Sequence, residues 1–127
     1  MIGLDTNLLV RYLVQDDQAQ SRLATKHIEG GDLFFINLIV LCELSWVLQS
    51  CYGIERKRLC EVFEKILATK QFVVQNSHLA WNALHAYQSS PADFSDCLIG
   101  HINQAAECSM TLSFDKSLKN LNHFRVL

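Results

Sequence analysis

The chain has 127 residues, half of them hydrophobic (50%) and 19% charged, with one proline and five glycines. That composition fits one globular domain over residues 1–127 and excludes linkers and low-complexity tails. The net charge of −2 excludes a global basic field for coating nucleic acid. From the N-terminus, Met1 to Leu4 reads as a short buried strand, and Thr6 to Val14 as a helix with Leu8, Leu9, Tyr12 and Leu13 on one face. A second helix starts after Asp16-Asp17, either of which can cap it, and stops at Gly30-Gly31. Leu33 to Ile36 is a second strand. Asn37 then caps a helix of about twelve residues that ends near Tyr52-Gly53. Glu55 to Thr69 is amphipathic and Phe72 to Val74 is a third strand. Ser77 caps a helix to Tyr87, and Asp93 caps one to about Glu107. Met110 to Phe114 is a fourth strand, Asp115 to Leu121 a short helix, and Phe124 to Leu127 a fifth strand.

Short apolar strands alternating with helices predict an α/β fold, a three-layer sandwich around a central parallel sheet. In such sheets, chemistry gathers at the carboxyl ends of the strands, where Asp5 and Asp115 stand. The longest apolar run, Leu38 to Leu48, is interrupted by Glu43 and is too short to span a bilayer. Asp5 arrives before any signal-peptide core could form, so a soluble cytoplasmic protein is expected. The five cysteines include no Cys-x-x-Cys pair, which argues against a zinc site and for reduced, mostly buried thiols.

Several carboxylates sit where local structure does not require them. Glu43 interrupts an otherwise apolar helix, where an unpaired charge is costly. It faces either a polar cleft or a narrow solvent stripe shared with Ser50. Asp5 and Asp115 each either cap the element that follows or carry chemistry. Asp93 and Asp96 share one turn at a helix start, where capping and the helix dipole also favour acids. One alternative covers them all: a Mg²⁺ or Mn²⁺ site, since hard cations take oxygen ligands. The five histidines then need no catalytic role, and His78 and His85, seven apart, read as a solvated or core-edge face.

Four fragments carry a family resemblance: Ile2-Gly3-Leu4-Asp5-Thr6-Asn7, Cys42-Glu43-Leu44, Ala92-Asp93-Phe94-Ser95-Asp96-Cys97-Leu98-Ile99 and Ser113-Phe114-Asp115. In order and spacing over essentially the whole chain, they resemble the PIN-domain ribonucleases, particularly the VapC-type toxins of bacterial toxin–antitoxin pairs. The resemblance implies a metal-dependent endoribonuclease with Asp5, Glu43, Asp96 and Asp115 as its four acids. Of these, Asp5, Asp96 and Asp115 would be metal ligands. Asp93 matches an extra acid found in part of the family, and whether it or Asp96 dominates metal binding stays open. Thr6 matches a supporting hydroxyl residue, and Ser113 stands where many relatives have Thr. Gly100 stands where such helices usually carry Ala, at a cost of up to about 1 kcal/mol of helix propensity, and suggests close helix packing.

The resemblance further implies an RNA substrate, a homodimer, and a small cognate antitoxin whose tail fills the acidic groove. Trp46, Phe34, Phe35 and the 38–48 helix offer apolar surface for partners, or for the core. Arg11, Lys116 and Lys119 are candidate phosphate contacts, with Arg56-Lys57-Arg58 a further basic cluster. Two other readings compete: a catalytically silent PIN-like module that binds RNA or protein, and a receiver-type phosphoryl-transfer domain. The second would need an acidic pair after the first strand and a central aspartate. Here Asp5 stands alone and Phe72 to Val74, taken as the middle strand, ends in Gln75.

Overall fold

Side-chain caps set the starts of the first three helices in the computed structural model, which describes residues 1–127. Strand β1 (Ile2–Gly3) leads into helix α1 (Thr6–Val14), whose first turn is capped by Asp5 accepting from the Leu8 amide at 3.0 Å. Helix α2 (Gln18–Ile28) is capped by Asp17 through the Gln20 amide at 2.9 Å, which leaves Asp16 free for another role. After β2 (Phe34–Ile36), Asn37 caps α3 (Leu38–Ser50) through the Val40 amide at 3.0 Å. Gln75 adds a cap from a distant strand end, accepting from the Leu38 amide at 3.1 Å. Helix α4 (Arg56–Ala68), strand β3 (Phe72–Val74), helix α5 (Ser77–Gln88) and helix α6 (Phe94–Ala105) follow. A pair of strands, β4 (Thr111–Ser113) and β5 (Phe124–Val126), closes the chain, with a 3-10 turn at Lys116–Leu118 between them.

Three local expectations need correction. Ser77 does not cap α5: Asn76 holds the cap position in the left-handed region at φ 45°, which asparagine tolerates, without a side-chain cap bond. Asp93 does stand at the cap position of α6, but its side chain makes no cap hydrogen bond. That helix ends at Ala105 rather than Glu107, because Glu107 turns left-handed at φ 68°.

Every strand pair is parallel, as the alternation of strands and helices predicts. The order is β1-β2-β3 in one sheet and β4-β5 in another. Ile2 pairs with Phe34, Phe34 with Phe72, and Thr111 with Phe124. The middle strand of the larger sheet is therefore β2, which ends at Ile36 just before Asn37, rather than β3. One unbroken central ladder was expected, but the ladder is split in two. The two-residue β1 offers little edge for extending the sheet, and β4–β5 is held instead by α6. Asn103 Nδ2 donates to Thr111 Oγ1 at 3.0 Å, and the His101 and His123 rings meet edge to face at 5.0 Å. A Cβ at Gly100 would collide with the Phe124 ring. The close approach at Gly100 thus serves strand β5, not a second helix.

The core lies under α3 to α6. Phe63 and Phe94 stack at 4.4 Å, Tyr87 meets Phe94 edge-on, and Leu41, Leu44, Leu59, Ala83 and Leu98 are fully buried around them. Of the apolar residues suggested for partners, Phe34 belongs to the core while Trp46 is 63% exposed. The cysteines are all free, but only Cys60 and Cys97 are buried; Cys51 and Cys108 are exposed. No helix is long and apolar enough to cross a membrane.

The His101–His123 contact makes the fold sensitive to acid. Burial first, and the His123 charge second, push the His101 imidazole below its ordinary value of 6.5. The unfolded chain then binds more protons than the folded one as pH falls through this range, so the contribution is present above about 6.5 and lost below it. The thermal midpoint should fall between about pH 7.5 and 5.5, and the fall should shrink in His101→Gln. Equal pH slopes for both proteins would remove His101 from this role.

Candidate active site

Asp5 directly follows β1 and Asp115 follows β4, while Glu43 lies within α3 and Asp93 and Asp96 at the start of α6. Asp5 leaves β1 exposed to solvent, with Oδ1 used in the α1 cap and Oδ2 free. Capping and availability for chemistry therefore coexist at this residue. Next to it, Thr6 Oγ1 donates to Glu43 Oε1 at 2.9 Å, a bond across 37 positions that ties the start of α1 to α3.

Glu43 is exposed, and so are Ile39, Trp46 and Ser50 on the same face of α3. Of the two placements open for Glu43, the solvent stripe is the one adopted. Leu38, Val40, Leu41, Leu44, Ser45 and Leu48 bury the opposite face. The charge avoids desolvation because the helix is amphipathic in three dimensions, with apolar residues spent on its open face as well.

Cys42 connects this pair to α6. Burial pushes its thiol up, a contact with Ser95 opposes this, and the charges of Asp96 and Glu43 add to the rise. Glu43 and Asp96 thus flank one half-buried thiol. Asp96 itself holds its proton more tightly than a free aspartate, first from burial and then from the charges of Asp115 and Asp93. Asp115 moves the opposite way: hydrogen bonds from Ser117 first, and the nearby Asp96 carboxyl last, hold it below the usual carboxylate range. The two carboxyls are electrostatic neighbours, and Asp96 is the one that holds its proton more tightly.

The Asp115 turn is built locally. Its amide donates to Ser113 Oγ at 3.0 Å, and Oδ1 accepts from the Ser117 amide at 2.9 Å. Ser113 thereby supports the backbone of the Asp115 turn. The expected helix to Leu121 shortens to one 3-10 turn, because Asp115 caps at Ser117 and Lys119 already closes onto Lys116.

No group of three or more Asp, Glu, His or Cys side chains is close enough to grip a metal ion. The four acids are therefore not assembled into a preformed cage. Mg²⁺ demands less, keeping several waters and needing only one or two carboxylates. Asp96 and Asp115, two carboxyls close enough to shift each other's protonation, offer the hard oxygen donors that requirement names.

The cations were harder to foresee. Arg11 is spent within its own region: Nε donates to Gln20 Oε1 at 2.7 Å and an Nη to Asp16 Oδ1 at 2.9 Å, with the Tyr52 hydroxyl closing the set onto Asp16 at 2.7 Å. These bonds engage Nε and one Nη. Arg58 pairs with Glu61. Lys116 and Lys119 remain exposed and form no ion pair.

Arg56 is the residue that sequence reasoning misplaced. Its guanidinium donates to the carbonyls of Tyr87 and Ala92 at 2.9 Å and of Pro91 at 3.1 Å, and lies 4.1 Å from the centre of the Tyr87 ring. It clamps the end of α5 to the segment that launches Asp93 and Asp96. Three basic residues in a row concealed this role, and the only available signal was the isolated Ser-Ser-Pro turn some 35 positions later.

A family model described as "PIN domain" matches residues 2–123. No curated protein matches the chain.

Proposed function

The chain belongs to the PIN domain family, a nuclease-type fold, and from that premise we propose that it is a Mg²⁺- or Mn²⁺-dependent endoribonuclease. We read it as a single cytoplasmic domain of VapC type, the toxin of a toxin–antitoxin pair. It would hydrolyse RNA phosphodiester bonds and work as a homodimer restrained by a small antitoxin.

The observation that carries this reading is the neighbourhood of Asp96 and Asp115, where the start of α6 meets the turn after β4 beside Asp93, with Cys42 between Asp96 and Glu43. Asp96 and Asp115 would hold the cation, with the free oxygen of Asp5 in support. When bound, the cation supplies Lewis acidity toward a phosphodiester and lowers the pKa of water. Glu43, steadied at Oε1 by Thr6, keeps Oε2 open to accept a proton from the attacking water. Ser117 holds the Asp115 carboxylate ionised, while Ser113 Oγ accepts from the Asp115 amide and fixes its backbone. Lys116 and Lys119 supply positive charge to the RNA backbone next to the acids.

Dialysis against a chelator should abolish cleavage of a generic single-stranded RNA. Mg²⁺ or Mn²⁺ should restore it and Na⁺ should not, with products read on a denaturing gel. Cleavage that survives exhaustive chelation would refute metal dependence. A second reading, a catalytically silent module that binds RNA or protein, draws support from the absence of a preformed three-ligand group. It predicts RNA or partner binding with no divalent-stimulated cleavage.

A further inference from the structure

Phe114 is 82% exposed, more than any other large hydrophobic side chain in the protein, and it stands directly before Asp115. It is not on a loose end. The Leu127 amide donates to the Ser113 carbonyl at 2.9 Å, the Asp115 amide to Ser113 Oγ at 3.0 Å, and the Leu118 amide to the Asp115 carbonyl at 3.2 Å. The backbone on both sides of the ring is thus fixed, and the ring is presented to solvent at little further cost in conformational entropy. Within the next five residues lie the two unpaired cations, Lys116 and Lys119. An exposed aromatic face, a carboxylate pair and free lysines in one short segment match a single-stranded nucleic acid more closely than a protein surface. Bases stack on rings, while phosphates seek cations.

We propose that Phe114 is a base-stacking platform, seating an unpaired nucleobase next to the phosphate that reaches Asp96 and Asp115. The proposal rests on the nuclease reading of that site for its substrate, and it assigns a specificity role to a side chain outside the acidic set. A base within a duplex is already stacked on its neighbours and cannot lie on the ring. The platform therefore selects single strands and favours bases that stack well, independently of hydrogen-bond readout.

The test uses the full chain in an Asp96→Asn background, so that RNA survives the measurement. Binding of a labelled, unstructured oligoribonucleotide, and of the same strand annealed to its complement, is read by fluorescence anisotropy. Phe114→Ala should weaken single-strand binding by about 5- to 100-fold, the range of one lost base–aromatic stack. Phe114→Leu, apolar but without a π-face, should lose as much, whereas Phe114→Tyr should stay within about threefold of the parent. Duplex binding should be weak and the same for all four proteins.

Equal binding by Phe114→Ala and the parent overturns the proposal, as does full binding by Phe114→Leu or an absence of single-strand binding by the parent. A Phe114→Ala chain that binds RNA normally but changes oligomeric size overturns it in favour of a protein contact. Ring-dependent binding without divalent-stimulated cleavage by the unmutated chain would leave the platform standing and refute the hydrolytic reading. Cleavage with ring-independent binding would do the reverse.

Discussion

Asp96→Asn is expected to lower divalent-dependent RNA cleavage by at least about 100-fold, beyond the 10- to 100-fold typical of residues that only orient a ligand. Asparagine keeps the size of the side chain but lacks the second anionic oxygen, so the pair with Asp115 loses half its charge toward a cation. The fold should not suffer. The folded protein binds the Asp96 proton more tightly than the unfolded chain does, because of burial and then Asp115 and Asp93. Holding Asp96 ionised near neutrality therefore opposes folding, and a neutral side chain removes that cost. The thermal midpoint of Asp96→Asn at pH 7 should equal or exceed that of the parent. Cleavage rates measured over a range of Mn²⁺ concentrations, beside melting curves, test both halves. A folded Asp96→Asn protein with parental activity would refute the site.

Arg56→Ala should be the most destabilising change at any charged position. It deletes donors to three carbonyls and a cation held over the Tyr87 ring. Hydrogen bonds from charged groups are worth about 1.5–3 kcal/mol each and are not additive. A cation–π contact adds about 0.5–2 kcal/mol. Water can reach part of this half-exposed site, so a net loss of about 3 kcal/mol is expected, against a total stability of about 5–15 kcal/mol. That corresponds to roughly 10 °C in thermal midpoint for a domain of this size.

Arg56→Lys keeps the charge but not the planar fork that reaches Tyr87, Pro91 and Ala92 together, and it should fall between the two. Because the clamp precedes Asp93 and Asp96, cleavage should decline in both variants even below their melting temperatures. A shift under about 2 °C in Arg56→Ala would mean that water replaces the guanidinium fully.

Much of the fold was legible because its signals are local. Asp17 and Asn37 cap through amides three residues away, and the apolar faces of α1 and α4 repeat at helical spacing. The misreadings arose where a local signal had a distant competitor. Ser77 is a good cap residue, but Asn76 adopts the left-handed geometry first. Glu43 looked enclosed because its neighbours along the chain are apolar, yet Ile39 and Trp46 share its open face. Arg11 and Arg56 looked alike as surface cations, and both are consumed by partners elsewhere in the chain.

By itself the sequence determined where helices and strands begin, that the strands run parallel, and that acids sit at their carboxyl ends. Those features follow from backbone hydrogen bonding and side-chain periodicity within a few residues. Tertiary structure alone decided that Thr6 reaches Glu43, that Asp96 lies near Asp115, that the sheet divides, and that Arg56 holds the turn ahead of Asp93. These contacts join residues 19 to 37 positions apart. Their strength depends on burial and distance, which exist only once the core has closed around Phe63 and Phe94.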